Sequence, residues 1–537
     1  GANNVAVGLQ ALDTNTTADN NTAVGFQAML ANTTASSNTA VGTCSLNATT
    51  TGCQNTALGM ASLDTNTTGD NNVGVGYQAL FSNTTADNNA AVGYQALSVN
   101  STGNSNNAFG YRALRCNTTA SNNTAVGFCS LFANTTGSEN VAVGHLSLDA
   151  NTTGNCNIGI GRGSLGSNTT ANNNIAIGDI ALVANTTGTQ NVAIGVQALD
   201  ANTTAGNNTA IGHVALTANT TGASHTAVGA YALKSNTDGQ ANTAFGYSAL
   251  CSNIGADNNV AVGYRALCAN TTGAQNTAVG LCALRATVDT SDNTALGMNA
   301  GFNNVGDKNT YIGRTSGLCG TTGDKNVAVG HEAMCLLTTG SCNVAMGERA
   351  NVRITTGTCN VILGVDAACV LTEGTRNIVI GANATNQLTT GNNNVTIGDL
   401  KDLSKIFNIT TEDNRFIAGH NNISNAYVKV AWTVTSDERD KMNFEEVPHG
   451  LDFVNKLQPY KFNYKKSRED PRPNGNARYG FKAQDILALE GDNNVIIDNE
   501  QPEKLKYQGE ALVPVLVNAI KELKKEIDLL KEDNKKK

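Results

Sequence analysis

The sequence predicts an all-β shaft, a parallel β-solenoid of 17-residue coils, followed by a small α+β domain and a C-terminal coiled-coil helix. Three observations support this fold: a glycine recurs every 17 residues, apolar and small residues alternate just before it, and a turn rich in Asn and Thr follows it. Seventeen residues are too few to bury a core, so successive coils must stack and share one.

The composition changes near residue 398, which marks the predicted end of the shaft. The first 398 residues carry 12 Lys and Arg and 19 Asp and Glu, whereas the rest carry 23 and 24. All 13 Cys precede this point and all six Pro follow it. We therefore predict a shaft over 1–398, a β transition segment over 399–435, a globular domain over 436–507 and a helix over 508–537.

Twenty-four anchor glycines define the repeat, from Gly8 to Gly398. Every step is 17 residues except one of 16, between Gly297 and Gly313. The residue before each anchor is apolar in all 24 coils, and the residue four before it is Asn in 23, with His225 as the exception. When coils stack in register, these Asn side chains are expected to form a ladder of amides, each donating to the next coil.

A row of Leu and Met lies four residues after the anchor in the first 17 coils, as at Leu12, Met29 and Leu284. The alternation at Ala23 and Val24 indicates that neighbouring strand residues point to opposite faces. A thin coil buries little surface alone, so we expect three chains to associate along the Leu and Met row.

The repeat resembles the head repeats of trimeric autotransporter adhesins. The shared pattern is Asn, any residue, Ala, then Val or Ile, and Gly, and it is followed by Ala-Leu. Asn191–Gly195 and Ala198-Leu199 are an example. The resemblance covers residues 1–398, with a longer period in this chain, and the difference falls in the Asn-Thr-Thr turn. It implies a trimer of left-handed parallel β-rolls.

Twelve Asn-Thr-Thr turns are formal acceptors for N-glycosylation. Asn and Thr are also good turn formers, and the sequence leaves both interpretations open. The Asn residues of these turns are Asn15, Asn32, Asn66, Asn83, Asn117, Asn134, Asn151, Asn168, Asn185, Asn202, Asn219 and Asn270.

The 13 cysteines show no metal-like spacing. Cys251 with Cys268, and Cys342 with Cys359, occupy equivalent positions one coil apart. A strand spacing of about 4.8 Å lies within the usual Cα separation of a disulfide. The alternative is that a thiol fills a small, half-buried slot, and the sequence leaves cross-coil bridges open.

The segment after the repeat alternates in polarity, with apolar residues at Val428, Val430, Trp432 and Val434. This alternation predicts a strand with one apolar face, on which the single Trp packs between chains.

The C-terminal part resembles the intramolecular chaperone endopeptidases found at the ends of tail spikes, endosialidases and tail fibres. The resemblance rests on four motifs in the expected order, over about 100 residues. They are Ser436–Lys441, Leu457–Phe462, Gly480–Asp485, and Tyr507 with Leu512–Ile520.

Members of this family cut their own chain just before the Ser, which implies cleavage of the Thr435–Ser436 bond here. The resemblance makes Ser436 the nucleophile and Lys441 the general base, with Asp437 and Arg439 orienting the loop. A Lys can accept the proton at neutral pH only when its pKa is lowered, which we expect once three chains assemble. Without the resemblance, Ser436 would simply cap a helix and Lys441 would be a solvated charge.

The last helix carries apolar residues at alternating spacings of three and four. This heptad seam predicts a short parallel coiled coil, whereas the alternative is one amphipathic helix packed on its own domain. The seam residues are Val513, Leu516, Ile520, Leu523, Ile527 and Leu530.

Together these features predict a structural fibre of a virus, a phage tail or receptor-binding fibre, whose C-terminal domain trimerises and registers the shaft. The alternative is an extracellular adhesin or glycosylated surface filament with the same chaperone. The expected partners are two further copies, a host-surface glycan or protein, and a virion baseplate or other fibre protein reached through a segment before residue 1. We predict no cofactor, metal, nucleic acid or membrane insertion, and no enzyme activity beyond a single self-cleavage.

Overall fold

The computed structural model describes residues 1–399, 409–419, 436–465, 468, 470–492, 494–500 and 502–536. The chain divides into two compact units, Gly1–Arg376 and Asn377–Lys537.

Each coil of the first unit contributes one strand of three residues, paired in parallel with the strands before and after it. Thr22 lies beside Thr39, and across the shorter step Thr294 lies beside Thr310. The predicted parallel β-solenoid is confirmed. Its strands β1–β22 are Val5–Val7, Thr22–Val24, Thr39–Val41, Thr56–Leu58, Val73–Val75, Ala90–Val92, Asn107–Phe109, Thr124–Val126, Val141–Val143, Ile158–Ile160, Ile175–Ile177, Val192–Ile194, Thr209–Ile211, Thr226–Val228, Thr243–Phe245, Val260–Val262, Thr277–Val279, Thr294–Leu296, Thr310–Ile312, Val327–Val329, Val344–Met346 and Val361–Leu363.

The Leu and Met row lies inside each coil. Met29 and Leu46 are fully buried, and both have a left-handed backbone, with φ of 50° and 49°. This conformation costs an L-residue about 1–2 kcal/mol, which the burial of a Leu side chain, at about 1.5–3 kcal/mol, offsets. The expected association of three chains along this row is therefore wrong, because the chain's own turn carries the row into its core.

The middle residue of each strand faces the same core, whereas its two neighbours face outward. Ala23 is fully buried and Val24 is half-buried, as the alternation predicted. Ala or Gly fills this inner position in most coils because the Leu side chain occupies the rest of a narrow interior.

The Asn residues four before each anchor are buried and bridge consecutive coils. Oδ1 of Asn21 accepts the backbone N–H of Asn38 at 2.9 Å, and Nδ2 of Asn38 donates to the carbonyl of Gly52 at 2.9 Å. The predicted row is present, but its amides bond mainly to the backbone. They satisfy buried backbone N–H and carbonyl groups that such short strands leave unpaired.

His225 takes the place of Asn in this row and copies its contacts. Its backbone N–H donates to Oδ1 of Asn208 at 3.0 Å, and its Nδ1 accepts the N–H of Asn242 at 3.2 Å. Burial of the ring lowers the pKa of His225, and the accepting nitrogen requires the neutral form.

The coil with the 16-residue step contains a buried Tyr. Tyr311 occupies the inner position that is Ala or Gly in every earlier coil, and its ring fills the space left by Gly301 and Gly317, which replace the Leu of two coils. A Cβ at Gly301 would lie only 2.7 Å from the ring, and the Tyr311 hydroxyl donates to Oδ1 of Asn304 at 3.3 Å. The Tyr311 ring therefore fills the part of the core that Leu side chains fill in earlier coils.

Beyond Tyr311 the core residues exchange positions. Leu337, Ile354 and Leu371 are fully buried seven residues after the anchor, where earlier coils carry Asn. Asn351 in turn occupies the position of the Leu row. The apolar side chain has moved to a neighbouring corner of the coil, which explains why the Leu row ends in the sequence.

Apolar side chains also cover one outer surface of the first unit, which we call the outer face. It comprises the residues directly before and after each anchor glycine. Met60 and Phe245 are each 55% exposed. The rings of Tyr77 and Tyr94 stack with centroids 5.2 Å apart, as do those of Tyr94 and Tyr111 at 5.3 Å.

The second unit begins with three strands, β23 (Ile378–Ile380), β24 (Val395–Ile397) and β25 (Phe416–Ala418), paired in parallel in that order. The strand predicted around Val428, Val430, Trp432 and Val434 lies outside the described residues.

The described residues of the globular part of the second unit form three helices and two antiparallel strand pairs. Three single 3-10 turns, Glu438–Asp440, Pro502–Lys504 and Gly509–Ala511, complete it. The helices and strands are α1 (Leu451–Lys456), β26 (Tyr460–Lys465), β27 (Pro473–Gly480), α2 (Ala483–Glu490), β28 (Ile497–Asp498), β29 (Lys506–Tyr507) and α3 (Leu512–Lys536).

A small core joins these elements. Phe453 of α1, Ile486 of α2, Ile497 of β28, and Leu512 and Val515 at the start of α3 are buried against one another. The core holds only the first turns of α3, and the rest of that helix extends beyond it.

Candidate functional site

The predicted cleavage loop forms a single turn at the start of the globular part. Asp437 caps the 3-10 turn Glu438–Asp440, and its carboxylate accepts the backbone N–H of Arg439 at 2.9 Å. The turn folds the chain back so that Lys441, five residues after Ser436, faces that serine.

Ser436 and Lys441 are in direct contact. Nζ of Lys441 lies 2.6 Å from Oγ of Ser436 and 3.4 Å from the Ser436 carbonyl oxygen. A hydrogen bond of this length places a basic nitrogen where it can take the hydroxyl proton, which is the geometry a Ser–Lys pair needs.

Asp437 and Arg439 form an ion pair beside the dyad. Nη2 of Arg439 lies 2.5 Å from Oδ2 of Asp437, and Nε lies 3.0 Å from Oδ1. The guanidinium lowers the pKa of Asp437, and the carboxylate raises the pKa of Arg439. This two-point contact restrains the turn, and the orienting role of both residues in catalysis remains a prediction.

The dyad is exposed in the single chain. Ser436 and Lys441 both face solvent, as does the following stretch with Met442, which is 80% exposed, and Phe444, which is 68% exposed. Thr435, on the other side of the predicted cleavage bond, lies outside the described residues. A lysine acts as a base only where burial or a neighbouring charge disfavours its ammonium form, and the described residues of the single chain leave this loop exposed.

Two side chains of α3 whose roles the sequence analysis did not predict bind the backbone between the dyad and α1. Glu522 of α3 accepts the N–H of Leu451 at 2.6 Å, which ties α3 to the start of α1. Asn518 of α3 donates to the carbonyls of Val447 and His449 at 3.3 and 3.1 Å. The chain leaving the dyad is therefore fixed by α3.

Glu490 anchors another loop of the same domain. Its buried carboxylate accepts the backbone N–H groups of Val495, Ile496 and Ile497 at 2.8, 2.6 and 2.9 Å. Three donors compensate the cost of burying the charge. The only signal in the sequence is a Glu before a Gly at a helix end, which is too common to identify such a role.

The predicted glycosylation acceptors form a second Asn ladder inside the coils. Nδ2 of Asn83 donates to Oδ1 of Asn66 at 2.9 Å and to the carbonyl of Ala86 at 3.0 Å. Asn15, in the first coil, is part-buried, and the other eleven acceptors are fully buried. Burial of the atom that would carry the sugar favours the turn-forming role, and glycosylation remains a prediction.

Two further features bear on the class of protein. In the described ranges, no group of three or more His, Cys, Asp or Glu residues is arranged to hold a metal ion. No helix in the same ranges combines the length and the apolar character that a bilayer crossing requires.

A search of curated proteins finds no match to the chain. The family model described as the chaperone of endosialidase, Peptidase_S74, matches residues 436–495. The match begins at Ser436 and includes the dyad, α1, the β26–β27 hairpin and α2. The predicted resemblance to these chaperones is therefore confirmed over residues 436–495, which follow the parallel β-solenoid along the chain.

Proposed function

We propose that three copies of this chain form a viral fibre, a phage tail or receptor-binding fibre, and that the C-terminal domain assembles the shaft and then cuts itself from it. The observation that carries this proposal is the order along the chain, a solenoid followed by a region similar to the chaperone of endosialidase family. In this proposal the shaft contacts a host-surface glycan or protein.

The outer face supports association of the shafts. An apolar residue precedes every anchor glycine, and Leu58 and Phe109 of this row are 39% and 41% exposed. In many coils an apolar residue also follows the anchor, although charged residues such as Arg162 and Asp179 interrupt that second row. An exposed apolar row of this kind is typical of an interface. A second copy of the chain is the fitting partner, because it presents the same rows at the same axial spacing.

The α3 seam supports the same stoichiometry at the C-terminal end. All six predicted seam residues are exposed in the single chain; Ile520 is 66% exposed and Leu530 is 63% exposed. An apolar stripe with heptad spacing is stable in water only when other helices cover it. The exposure of the whole seam favours this interpretation over the alternative, in which the seam packs on its own domain.

The shaft needs a device that sets its register. Because every coil presents an apolar residue before its anchor glycine at the same axial spacing, three shafts shifted by one coil would still bury much of this row. A C-terminal domain that trimerises first would align the three anchors, and the coils could then associate from that end.

Trimerisation would also complete the dyad. Cover from neighbouring chains over the exposed loop would lower the pKa of Lys441, which would then take the proton of Ser436. The Ser436 oxygen would attack the carbonyl carbon of residue 435, and the peptide nitrogen would leave with a proton. Hydrolysis of the resulting ester would release the domain and make shaft assembly irreversible.

Denaturing electrophoresis of the purified full chain tests the cleavage. The wild-type chain should yield fragments 1–435 and 436–537, whereas Ser436→Ala and Lys441→Met should each leave one band. Lys456→Met, which removes an exposed lysine of α1, is the matched control and should cleave normally. Identical band patterns in wild type and Ser436→Ala would exclude the dyad.

Electron microscopy of native particles tests the viral role. Antibodies against residues 1–398 should label rods attached to capsids. Labelled filaments free of capsids would favour a surface adhesin instead.

A further inference from the structure

Two cysteines on consecutive coils of the first unit meet through their sulfur atoms. Cys251 and Cys268 each lie five residues after the anchor, and their Sγ atoms are 2.8 Å apart. A disulfide bond is about 2.03–2.05 Å long, so the two atoms need to approach by less than about 1 Å to bond.

The backbone already has the geometry of a bridged pair. The N–H of Ser252 donates to the carbonyl of Cys268 at 3.2 Å, which fixes the two coils beside each other at this point. Adjacent strands lie about 4.7–4.9 Å apart, inside the Cα range of about 4.4–6.8 Å seen in disulfides. The spacing of the two coils is therefore compatible with a bridge.

We propose that Cys251 and Cys268 form a cross-coil disulfide that staples two neighbouring coils of the same chain. The staple would prevent these two coils from separating locally. Without it, only hydrogen bonds and core packing hold one coil to the next.

The two thiols differ in acidity, which decides which of them attacks first. The contact with Cys268 lowers the pKa of the Cys251 thiol, and the Arg265 guanidinium acts in the same direction. The pKa of Cys268 is raised by the same contact and by burial. Cys251 is therefore the nucleophile of the pair.

The oxidant is a small-molecule disulfide such as oxidised glutathione. The Cys251 thiolate attacks one of its sulfurs, the sulfur–sulfur bond breaks, and one small thiolate leaves and takes up a proton. Cys268 then loses its proton and attacks the Cys251 sulfur of the mixed disulfide, which expels the second small thiol. Two protein thiols and one small disulfide become one protein disulfide and two small thiols.

The other stacked pair provides a contrast. Cys342 and Cys359 are also one coil apart, but both are exposed and have left-handed φ angles of 59°. Among the described residues no contact joins their sulfur atoms. Stacking alone therefore does not bring thiols together, and the two pairs should differ in their response to oxidation.

Peptide mapping of the full chain tests the proposal. The protein is equilibrated with oxidised glutathione, alkylated under denaturing conditions and digested with trypsin without reduction. Because Arg265 lies between the two cysteines, the bridge should join two separate peptides. The second peptide also contains Cys282, so fragment spectra must assign the bond to Cys268.

Most chains should carry the Cys251–Cys268 bond, while Cys342 and Cys359 should be recovered alkylated or as mixed disulfides with glutathione. Full alkylation of Cys251 and Cys268, or a bond from either to another cysteine or another chain, would overturn the proposal.

Hydrogen exchange measures the effect of the staple without relying on a variant's folding yield. Oxidation of the wild-type chain should slow exchange in the coils around residues 251 and 268 by about tenfold or more, as expected when a bridge closes a short loop. In Cys251→Ser, oxidation should leave that exchange unchanged, whereas Cys342→Ser should behave as wild type. Equal slowing in Cys251→Ser would refute the staple.

Discussion

The shaft and the C-terminal helix differ in how far a single chain buries their repeated side chains. In the first unit, Leu182 and Asn134 are fully buried by the chain's own neighbouring coils. In α3, by contrast, the seam residues Ile520 and Leu523 are 66% and 44% exposed. The shaft has a complete interior in one chain, whereas the apolar seam of the helix is uncovered. We infer that the number and alignment of chains are set mainly at the C-terminal end.

The largest effect should come from placing charge in the seam. Ile520→Asp would bury three carboxylates at the centre of a trimeric coiled coil, a cost of several kcal/mol for each. Native mass spectrometry should find single chains in place of trimers. Lys525→Asp, on the same helix but off the seam, is the control and should remain trimeric; an unchanged mass for Ile520→Asp would contradict the seam.

The next largest effect concerns the inner Leu row. Leu182→Ala should destabilise the surrounding coils by about 2–5 kcal/mol, because it leaves a cavity in a core that one chain provides. Hydrogen exchange around residue 182 should accelerate strongly. Val183→Ala, at the adjacent half-buried position, should have a much smaller effect; equal effects would mean that the Leu row does not carry the core.

A smaller loss is expected from the second Asn ladder. Nδ2 of Asn134 donates to Oδ1 of Asn117 at 2.9 Å, and its Oδ1 accepts from Asn151 at 2.9 Å. Asn134→Ala breaks both bonds inside the coil and should cost about 1–3 kcal/mol. Thermal unfolding should detect this, with Thr136→Ala, at an exposed position, as the near-neutral control. If both variants unfold alike, the ladder adds no stability.

The smallest effect should be the pH response of His225. Burial lowers the folded-state pKa of this ring below its unfolded value of about 6.5. The unfolded chain then binds a proton that the folded coil excludes, so stability is lost as the pH falls below about 6.5, by at most about 1.4 kcal/mol per pH unit. Comparing exchange near residue 225 at neutral and acidic pH in wild type and His225→Asn checks this; His225→Asn should flatten the local profile, and parallel profiles would contradict it.

The solenoid could be predicted from the sequence because its period is repeated in the chain itself. The anchor glycines, the inward Ala and the Asn row all follow from spacing. The direction of the Leu row could not be predicted, since it depends on a left-handed backbone at Leu and Met, which residue preferences disfavour. In the sequence, the Tyr311 coil stands out only by its 16-residue step. The side-chain positions were needed to see that Gly301 and Gly317 make room for the Tyr311 ring.

The dyad could be anticipated only through the family resemblance, because a Ser and a Lys five residues apart are common in any sequence. The structure adds their contact at 2.6 Å. The roles of Glu490 and Glu522 could not be predicted, since both act over long sequence separations or on backbone groups whose position depends on the folded domain.

The most direct measurement compares the full chain with a chain ending at residue 435, refolded under the same conditions and analysed by native mass spectrometry and electron microscopy. The full chain should give uniform trimers of aligned shafts. The shortened chain should give folded coils, with their β signal intact, that remain single or associate in mixed registers. Uniform, aligned trimers of the shortened chain would contradict the assignment of chain number and register to the C-terminal domain.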